Sequence, residues 1–417
     1  MELSDRVANA TGPVRYRARW VLPVSGPPIP NGEVVVENGR IVACGLSRSR
    51  EADIDFGNAA ILPGFVNAHA HLDYTVMRSL LPNKPFFEWI RELVSLKAHF
   101  QQRDWLESAQ LGAVEMAGAG ITTVADASDS GAGIGAMLSS GLRGIVFREV
   151  FGIESAPESE SIIGRLASKV ADMRRMVAAA EATDRIGLGI SPHAVYTVRP
   201  DLLRDLAEFA RGKSLVQMIH ADESAEEEAL LRHGTGPFAA MFAARGIRWR
   251  TPGGSAISHI AASGGFEAPT IAVHCVHIDA DDPLRMVRSG VSVVHCPRSN
   301  ANLGAGSAPL RMMLDAGLDV GLGTDSVLSS GRTDFFEEMR SMVHQTRLRE
   351  GDARLIPARE AIRIATLGGA RALGMEADIG TLEVGKWADF CVVRFDAIGM
   401  WPAGEDAPEE TLVHGAT

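Results

Sequence analysis

The sequence has 417 residues, 46% of them hydrophobic and 22% charged, and its formal net charge is −11. This composition excludes a largely disordered chain, because disorder requires low hydrophobicity. The length suits one large domain with a smaller companion. The acidic balance, with no basic stripe, argues against binding to a nucleic-acid backbone. Single nucleobases and nucleosides stay possible as ligands, since they need no polyanion groove.

Cysteine spacing and hydropathy indicate the cellular compartment in which the protein is expected. The four cysteines are spread widely and form no C-x-x-C pair, which predicts free thiols in a reducing environment. The N-terminal segment has no apolar run of signal-peptide length, and no later stretch approaches ~20 uninterrupted apolar residues. We therefore expect a cytoplasmic protein without membrane contact.

The chain begins and ends with short β-rich segments. Gly, Pro and Asn residues separate the first of them, which are RYRARWVLPV, GEVVVENG and RIVACGL. A similar β-rich pattern occurs near the end of the chain, in GTLEVGKWADFCVVRFD. Two β-rich ends around a long middle predict one small β-sandwich domain, composed of residues 1–62 and 377–417.

Residues 63–376 have a different pattern, in which short apolar runs alternate with amphipathic stretches such as Asp201–Arg211 and Pro283–Ser289. Strands that alternate with helices call for a parallel sheet, and eight of them over roughly 300 residues fit an α/β fold of the (β/α)8 TIM-barrel type. In chain order, the runs are AILPGFVNAHAH, ITTVADAS, GIVFREVFG, IGLGISPHAVY, LVQMIHADE, TIAVHCVHI, VSVVHCPRSN and DVGLGTDS.

Histidine and aspartate residues concentrate where these runs end, which is where a barrel carries its chemistry. His69 and His71 close the first run, and residues two apart on a strand point to the same face. His220 ends the fifth run and Asp325 the eighth. Polar residues mark strand ends in general, and a lone H-x-H pair is more often structural. Three neutral imidazoles with one carboxylate nevertheless favour a site for Zn²⁺, or for Fe²⁺ or Mn²⁺, with a water in the open position.

Six motifs follow one another in a characteristic order: GFVNAHAHLD, HADES, AVHCVH, VVHCPRSNANLG, GLGTDS and GTLEVGKWADF. With them the sequence resembles the amidohydrolase superfamily, in its branch of chlorohydrolases and purine-type deaminases, over nearly the whole chain. The resemblance implies a hydrolase of C–N bonds in cyclic amidines, with one divalent metal bound by His69, His71, His220 and Asp325 and zinc preferred. Binuclear relatives carry a carbamylated Lys at the fourth strand, where LGISPHAVYT has none.

The resemblance also implies roles for groups beside the metal. Glu223 is expected to be the proton shuttle to a ring nitrogen, although a glutamate here also favours the N-terminus of a following helix. His274 is expected to polarise the metal-bound water, with His277 as its competitor for that role. Asp325 is expected to pass the water proton to the departing amine, and His193 resembles the family's substrate-binding histidine.

Further polar residues at strand ends are candidates for the substrate pocket. Arg148 and Glu149 end the third strand, His295 ends the seventh, and Arg298 and Asn300 follow it. For His295 and Asn300 the sequence favours a pocket position and a structural position equally. Arg298 could meet a substrate carboxylate through its planar guanidinium, while the ordinary expectation for an arginine is the surface.

The loop after the first strand contains an aromatic group. Phe86, Phe87 and Trp89 could form a lid over a flat heterocycle, or they could be ordinary helix-packing core. The sequence alone leaves both interpretations open.

The resemblance implies a small N-heterocyclic or nucleoside substrate, from which hydrolysis displaces an amine. The stretch LLRHGTGPFAAMFAARGIRWRTPGGSAISHI lies between His220 and His274 and is similar to the aminodeoxyfutalosine deaminases of the alternative menaquinone pathway. The alternatives are a methylthioadenosine/S-adenosylhomocysteine deaminase and another N-heterocycle aminohydrolase or chlorohydrolase. A non-catalytic scaffold is disfavoured because the metal ligands are intact. Family habit suggests a homodimer.

Overall fold

The computed structural model describes residues 12–47, 52–81, 84–154, 158–401 and 407–416. Its strands form two sheets, one with six strands and one with eight. The first sheet collects strands from both ends of the chain, and the second is the barrel formed by the middle. Within these ranges no helix combines the length and the hydropathy that a membrane span requires.

The six-stranded sheet is the terminal β-domain that the sequence predicted. Its strands are β1 (Val14–Val21), β2 (Ile29–Glu37), β3 (Arg40–Leu46), β4 (Ile54–Asp55), β5 (Ala59–Pro63) and, from the other end of the chain, β14 (Phe390–Arg394). Their order is β14-β5-β1-β2-β3, with β4 against β1, and the sheet is mixed parallel and antiparallel. Alternate residues of β1 are buried, so one face of the sheet covers a core. The domain boundaries at residues 62 and 377 stay a prediction.

The eight-stranded sheet confirms the predicted (β/α)8 barrel, since each of the eight apolar runs contains one strand of this sheet. All neighbouring strands are parallel. The strands are β6 (Phe65–Ala70), β7 (Ile121–Ser128), β8 (Arg143–Val150), β9 (Ile186–Pro192), β10 (Val216–Ala221), β11 (Thr270–His274), β12 (Ser292–His295) and β13 (Val320–Leu322).

The barrel closes at the end where the functional candidates lie. Asp325 follows β13 and forms a parallel bridge with Ala70 of β6. The backbone N–H of Asp325 donates to the carbonyl of His69 at 3.1 Å. Adjacent residues of a strand, such as Val146 and Phe147 in β8, are both fully buried. The strands are covered on both faces, so each run is continuously apolar in the sequence.

Helices surround the barrel and cover its outer face. In α5 (Pro200–Gly212), Leu202, Leu206 and Ala210 are four residues apart and buried on one side. The other helices are α1 (Phe86–Lys97), α2 (Gln102–Gly118), α3 (Gly133–Ser140), α4 (Ser159–Ala179), α6 (Ala225–His233), α7 (Gly236–Ala244), α8 (Ala256–Ala262), α9 (Asp282–Arg288), α10 (Pro297–Asn302), α11 (Leu310–Asp315), α12 (Val327–Ser330), α13 (Phe335–Glu350), α14 (Ala358–Arg363), α15 (Gly369–Ala372) and α16 (Pro408–Gly415), with 3₁₀ turns at Leu72–Met77 and Ile398–Met400 and a π turn at Ile364–Gly368.

The last described helix, α16, packs on the barrel. Leu412 and Val413 are fully buried. Arg340 of α13 donates to the carbonyl oxygens of Val413 at 3.0 Å and of Ala416 at 2.7 Å. This segment therefore ties the C-terminal part of the chain to the helical layer of the barrel.

Two glycines provide a matched test of how closely the helices pack on the barrel strands. A Cβ on Gly369 would lie 2.8 Å from both Cβ and the carbonyl oxygen of Val66 in β6, whereas nothing lies within 4 Å of a Cβ on Gly164 in α4. We expect Gly369→Ala to lower the free energy of unfolding by about 1–3 kcal/mol through overpacking. Gly164→Ala should raise it by about 0.5–1 kcal/mol through helix propensity. Denaturant titrations of both variants check the pair, and equal shifts would contradict the close approach of α15 to β6.

Candidate functional site

Four predicted metal ligands meet at the C-terminal end of the barrel. His69 is the last residue but one of β6, His71 follows this strand, His220 belongs to β10, and Asp325 follows β13. All four are buried. The ligand atoms of His69, His71 and Asp325 lie within 4.8 Å of one another, and so do those of His69, His220 and His274. The barrel thus brings together residues that are far apart in the sequence.

The donor atoms of this group fit a divalent metal. Within the described part of the chain, the buried Nε2 of His69 has no hydrogen-bond partner. One oxygen of Asp325, Oδ1, lies 3.5 Å from Nε2 of His69 and 3.4 Å from Nε2 of His71. Burial lowers the pKa of both imidazoles, so they are neutral and offer lone pairs. The surrounding histidines hold the pKa of Asp325 well below its usual range despite its burial, so it stays a carboxylate.

Neighbouring groups fix the orientation of these ligands. Nδ1–H of His220 donates to the carbonyl of His193 at 2.8 Å, which directs the other ring nitrogen to the metal position. The second oxygen of Asp325, Oδ2, accepts from the hydroxyls of Ser299 at 2.5 Å and Ser329 at 3.0 Å. Oδ1 is thereby left to face the histidines.

The backbone is strained where the site residues leave the strands. Asp222, His274, Cys275 and Asp325 have φ values of 51°, 73°, 50° and 55°. Non-glycine residues adopt this left-handed region rarely, and such strain concentrates at functional sites. Here it turns the chain sharply at the ends of β10, β11 and β13.

Glu223 lies beside the metal group and is held by its backbone. Its carboxylate oxygen Oε1 is 3.6 Å from Nε2 of His274, and burial raises its pKa well above the usual value. The backbone N–H of Glu223 donates to Oε2 of Glu227 at 2.7 Å. The preceding residue, Asp222, accepts from the N–H groups of Ala256 and Ile257 at the start of α8. Glu223 therefore sits in the turn between β10 and α6, which hydrogen bonds tie to both α6 and α8.

Glu227 has a role that the sequence did not indicate. A glutamate in the first turn of a helix is expected to face solvent, where it interacts with the helix dipole. Glu227 is instead fully buried and holds the amide of Glu223. The S-x-x-E spacing of Ser224 and Glu227 could have pointed to a capping interaction, since Ser224 accepts from the N–H of Glu227 at 3.2 Å.

His274 is positioned by a residue predicted for the substrate pocket. Nδ1–H of His274 donates to Oδ1 of Asn300 at 2.9 Å, so Asn300 orients the ring. His295 is buried near His274, and burial lowers the pKa of His295 to about 3. His277 points elsewhere, with Nε2–H donating to the carbonyl of Ala305 at 2.8 Å. The geometry thus favours His274 over His277 beside the metal.

A small cavity opens above the metal group. Glu149 and His193 form one side of it, and Glu223 and His274 line it as well. The apolar part of its wall comes from α1, which contributes Trp89, and the full lining is His71, Tyr74, Trp89, Ile90, Leu93, Glu149, His193, Tyr196, His220, Glu223, His274, Leu303, Asp325 and Ser326.

Four of the predicted pocket residues lie outside this lining: Arg148, His295, Arg298 and Asn300. The guanidinium of Arg298 donates to the carbonyls of Ser330 at 2.6 Å and Arg332 at 2.9 Å, so it braces a loop. Arg148 precedes Glu149 in β8, and successive side chains of a strand face opposite sides. Glu149 accordingly lines the cavity while Arg148 lies close to Gly131. The roles of both arginines in substrate binding stay predictions.

The chain matches the Amidohydrolase family over residues 60–407. It belongs to this family. A 5-methylthioadenosine/S-adenosylhomocysteine deaminase from Moorella thermoacetica is 32% identical over 415 residues, which cover 97% of this chain and 90% of that protein. The resemblance found in the sequence motifs is therefore confirmed.

Solved structures agree with the barrel. An adenosine deaminase from Xanthomonas campestris with bound zinc has a TM-score of 0.81 at 25% identity, with 94% of this chain and 86% of that chain covered. An aminofutalosine deaminase from Helicobacter pylori in complex with methylthio-coformycin has a TM-score of 0.78 at 19% identity, with 96% of both chains covered. The second likeness concerns the fold alone. This amidohydrolase is a metal-dependent hydrolase of C–N bonds in cyclic amidines.

Sequence reasoning missed several groups that shape the site of this amidohydrolase. The ring of Tyr74 stacks on His71, with centroids 5.1 Å apart. Nζ of Lys97, at the end of α1, donates to the Tyr74 hydroxyl at 2.7 Å. The sulfur of Met218 lies 3.1 Å from Nδ1 of His69. Of these, only Tyr74 carried a signal in the sequence, since it lies three residues after His71.

The metal assignment predicts a sharp difference between two aspartates of the same segment. Asp325→Ala should abolish stoichiometric zinc binding and activity, because the carboxylate between His69 and His71 is lost. Asp319→Ala is the matched control, since its side chain is half-exposed and pairs with Arg371 at the opposite end of β13. Metal content measured by atomic emission checks both variants. Full zinc occupancy in Asp325→Ala would place the carboxylate ligand elsewhere.

Proposed function

We propose that this amidohydrolase hydrolytically deaminates an adenosine-type nucleoside. The observation that carries the proposal is the placement of Glu223, whose buried carboxyl group shares a cavity with the His/Asp group and lies 3.6 Å from His274. A carboxyl group with a raised pKa next to a metal site is suited to protonate a ring nitrogen. The relative from Moorella thermoacetica is named as a deaminase of adenosine derivatives, which supports this substrate class.

His69, His71, His220 and Asp325 would hold the metal, for which we propose zinc, and a bound metal would lower the pKa of a water molecule toward neutrality. Oε1 of Glu223 gives its proton to the ring nitrogen next to the reacting carbon as the water oxygen bonds to that carbon. Asp325 accepts one proton from the water and returns it to the amine. The C–N bond then breaks, ammonia leaves, and Glu223 recovers a proton from the new hydroxyl as the carbonyl forms. The zinc-containing neighbour structure is consistent with this choice of metal.

His274 is assigned to hold the attacking water in line with the ring carbon. Its Nδ1–H is fixed by Asn300, so Nε2 points toward Glu223 and the cavity. Burial lowers the pKa of His274, which keeps the ring neutral and able to accept a hydrogen bond at that atom. Asn300 and His274 thus position the attacking water, while Glu223 and Asp325 transfer the protons.

The proposed substrate class leaves open which chemical group is attached to the sugar of the nucleoside. The sequence motifs favoured aminodeoxyfutalosine, whereas the curated relative at 32% identity is named for methylthioadenosine and S-adenosylhomocysteine. The long segment between β10 and β11 folds as α6, α7 and α8. Phe238 of α7 stacks on the cavity residue Tyr196, with centroids 4.4 Å apart, and contacts Phe87 of α1 at 5.0 Å. We propose that this aromatic row selects the group attached to the nucleoside.

The partners of the enzyme and its location in the cell are further parts of the proposal. The ligand is a small nucleoside, with neither nucleic acid nor membrane involved, and we propose a homodimer in the cytoplasm. Size-exclusion chromatography with light scattering measures the oligomeric state directly.

Glu223→Gln tests the proton shuttle. The variant should keep its zinc, because the ligands are untouched, and should lose about 10²- to 10⁴-fold in kcat, which is the ordinary contribution of general acid catalysis. Glu226→Gln is the control, since Glu226 is partly exposed and does not line the cavity. Steady-state kinetics and zinc content are measured together, and near-normal kcat in Glu223→Gln would remove this residue from the mechanism.

Ammonia release from the zinc-loaded enzyme tests the substrate class. The panel holds aminodeoxyfutalosine, methylthioadenosine, S-adenosylhomocysteine, adenosine, guanine and one aminotriazine. We expect turnover of at least one adenosine derivative and little or none of guanine and the triazine. Exclusive turnover of the triazine or of guanine would refute the nucleoside assignment.

A further inference from the structure

Arg298 is a largely buried arginine that the mechanism described so far does not use. Its side chain is 14% exposed and belongs to α10, the short helix after β12. Glu338 of α13 accepts from it twice, with Oε1 3.4 Å from Nη1 and Oε2 3.3 Å from the backbone nitrogen. Burial raises the pKa of Glu338 although the guanidinium opposes the shift, so its oxygens serve as acceptors whose charge is not required. Arg298 is thus fastened to α13.

The guanidinium of Arg298 also holds the segment that follows β13. It donates to the carbonyl oxygens of Ser330 at 2.6 Å and of Arg332 at 2.9 Å. Ser330 is the last residue of α12, and the final carbonyls of a helix have no partners within it. The planar guanidinium reaches both oxygens at once, a geometry that the ammonium group of a lysine does not reproduce. The position of α12 therefore depends on Arg298.

Helices α10 and α12 both contact the proposed metal ligand Asp325. Ser329 of α12 donates to Oδ2 of Asp325 at 3.0 Å, and Ser299 of α10 donates to the same oxygen at 2.5 Å. The side chain of Asn302 joins the two helices, since its Nδ2 donates to the carbonyl of Ser329 at 2.7 Å. A shift of either helix would consequently rotate the carboxylate that faces the histidines.

Helix α10 orients His274 as well. Asn300 accepts from Nδ1–H of His274 at 2.9 Å, so three consecutive residues of this helix contact the α12 segment, the carboxylate and the imidazole. The helix has only six residues, and helices this short are not stable without attachment to their surroundings. Its attachment to α13 through Arg298 therefore fixes the register of the neighbouring contacts.

We propose that Arg298 is a positioning residue, which fixes Asp325 and His274 through the side chains of α10 and α12 and does not contact the substrate. The inference rests on the proposed function for the part that these two residues play in the reaction, whereas its effect on metal affinity is independent of the substrate. Groups that orient metal ligands typically change metal affinity or activity 10- to 100-fold. Arg298 acts through a further side chain, so we expect the lower end of this range.

Removal of both members of the Arg298–Glu338 pair separates position from stability. Arg298→Met alone leaves Glu338 buried without its partner, whereas Arg298→Met/Glu338→Met puts apolar side chains at both positions, and such replacements are often neutral for stability. Arg298→Lys keeps the charge without the planar group. Arg340→Met is the matched control, because Arg340 is 15% exposed and likewise donates to two backbone carbonyls and one glutamate, at the C-terminal helix α16 and away from the site.

Three measurements are made on each variant. Competition with a chromophoric chelator gives the zinc dissociation constant of the metal-free protein, and denaturant titration gives its stability. Steady-state kinetics compare methylthioadenosine with S-adenosylhomocysteine, which carries a carboxylate. The double variant should bind zinc about 10-fold more weakly than the wild type and have a lower kcat, with KM unchanged for both nucleosides. Arg298→Lys should show a smaller loss of zinc affinity, and Arg340→Met should match the wild type in zinc affinity and kcat.

The outcomes distinguish failure of this inference from failure of the proposed function. Unchanged zinc affinity in a folded double variant would overturn the positioning role, and if that variant does not fold, unchanged zinc affinity in Arg298→Lys would do so. A raised KM for S-adenosylhomocysteine alone, with zinc affinity intact, would overturn it too, since Arg298 would then bind the substrate carboxylate. Weakened zinc binding in a protein that deaminates no nucleoside supports the positioning role and refutes the deaminase.

Discussion

Several ionisable side chains share a volume from which water is largely excluded, and this constraint governs the structure around the site. Five imidazoles, one aspartate and two glutamates converge on the C-terminal end of the barrel. Burial penalises the charged form of each group. The histidines respond by staying neutral and Glu223 by staying protonated, while Asp325 remains the charged member because the histidines surround it. A divalent cation fits this balance, since it meets one negative charge and neutral nitrogen donors.

The surrounding fold holds several of these groups through hydrogen bonds to atoms that do not face the metal position. Asn300 holds His274, the carbonyl of His193 holds His220, and the hydroxyls of Ser299 and Ser329 hold Asp325. Such neighbours set ring orientation and tautomer, and metal affinity depends on them. The left-handed backbone at four non-glycine residues of the strand ends shows that this arrangement is maintained against local strain.

The wall of the cavity comes from parts of the chain that are distant in sequence. The helix α1 contributes apolar residues to this wall. Its last residue, Lys97, donates to Tyr74 and to Asp129, which directly follows β7. The segment between β10 and β11 reaches the same wall through Phe238. In the proposed mechanism, substrate choice and the proton chemistry therefore belong to different elements of the chain.

The barrel and its strand ends could be predicted from the sequence because buried parallel strands produce continuous apolar runs and end on polar residues. The candidate metal ligands were chosen from that placement and from their chemistry, and the structure brings their side chains together, while their binding of a metal stays a prediction. Contacts made by residues of other strands could not be predicted in this way. Asn300 and Arg298 are two residues apart, yet one holds His274 and the other braces a loop. Burial of Glu227 depends on how α6 packs, which no periodicity in its short sequence reveals.

The central claim is that His69, His71, His220 and Asp325 hold one metal ion. Anomalous diffraction at the zinc edge, from crystals of the zinc-loaded protein, tests it most directly. The account predicts one fully occupied peak per chain, within ~2.0–2.2 Å of a nitrogen from each histidine and of a carboxylate oxygen of Asp325. A peak bound elsewhere, or a second peak of equal height between Glu149 and His193, would contradict it.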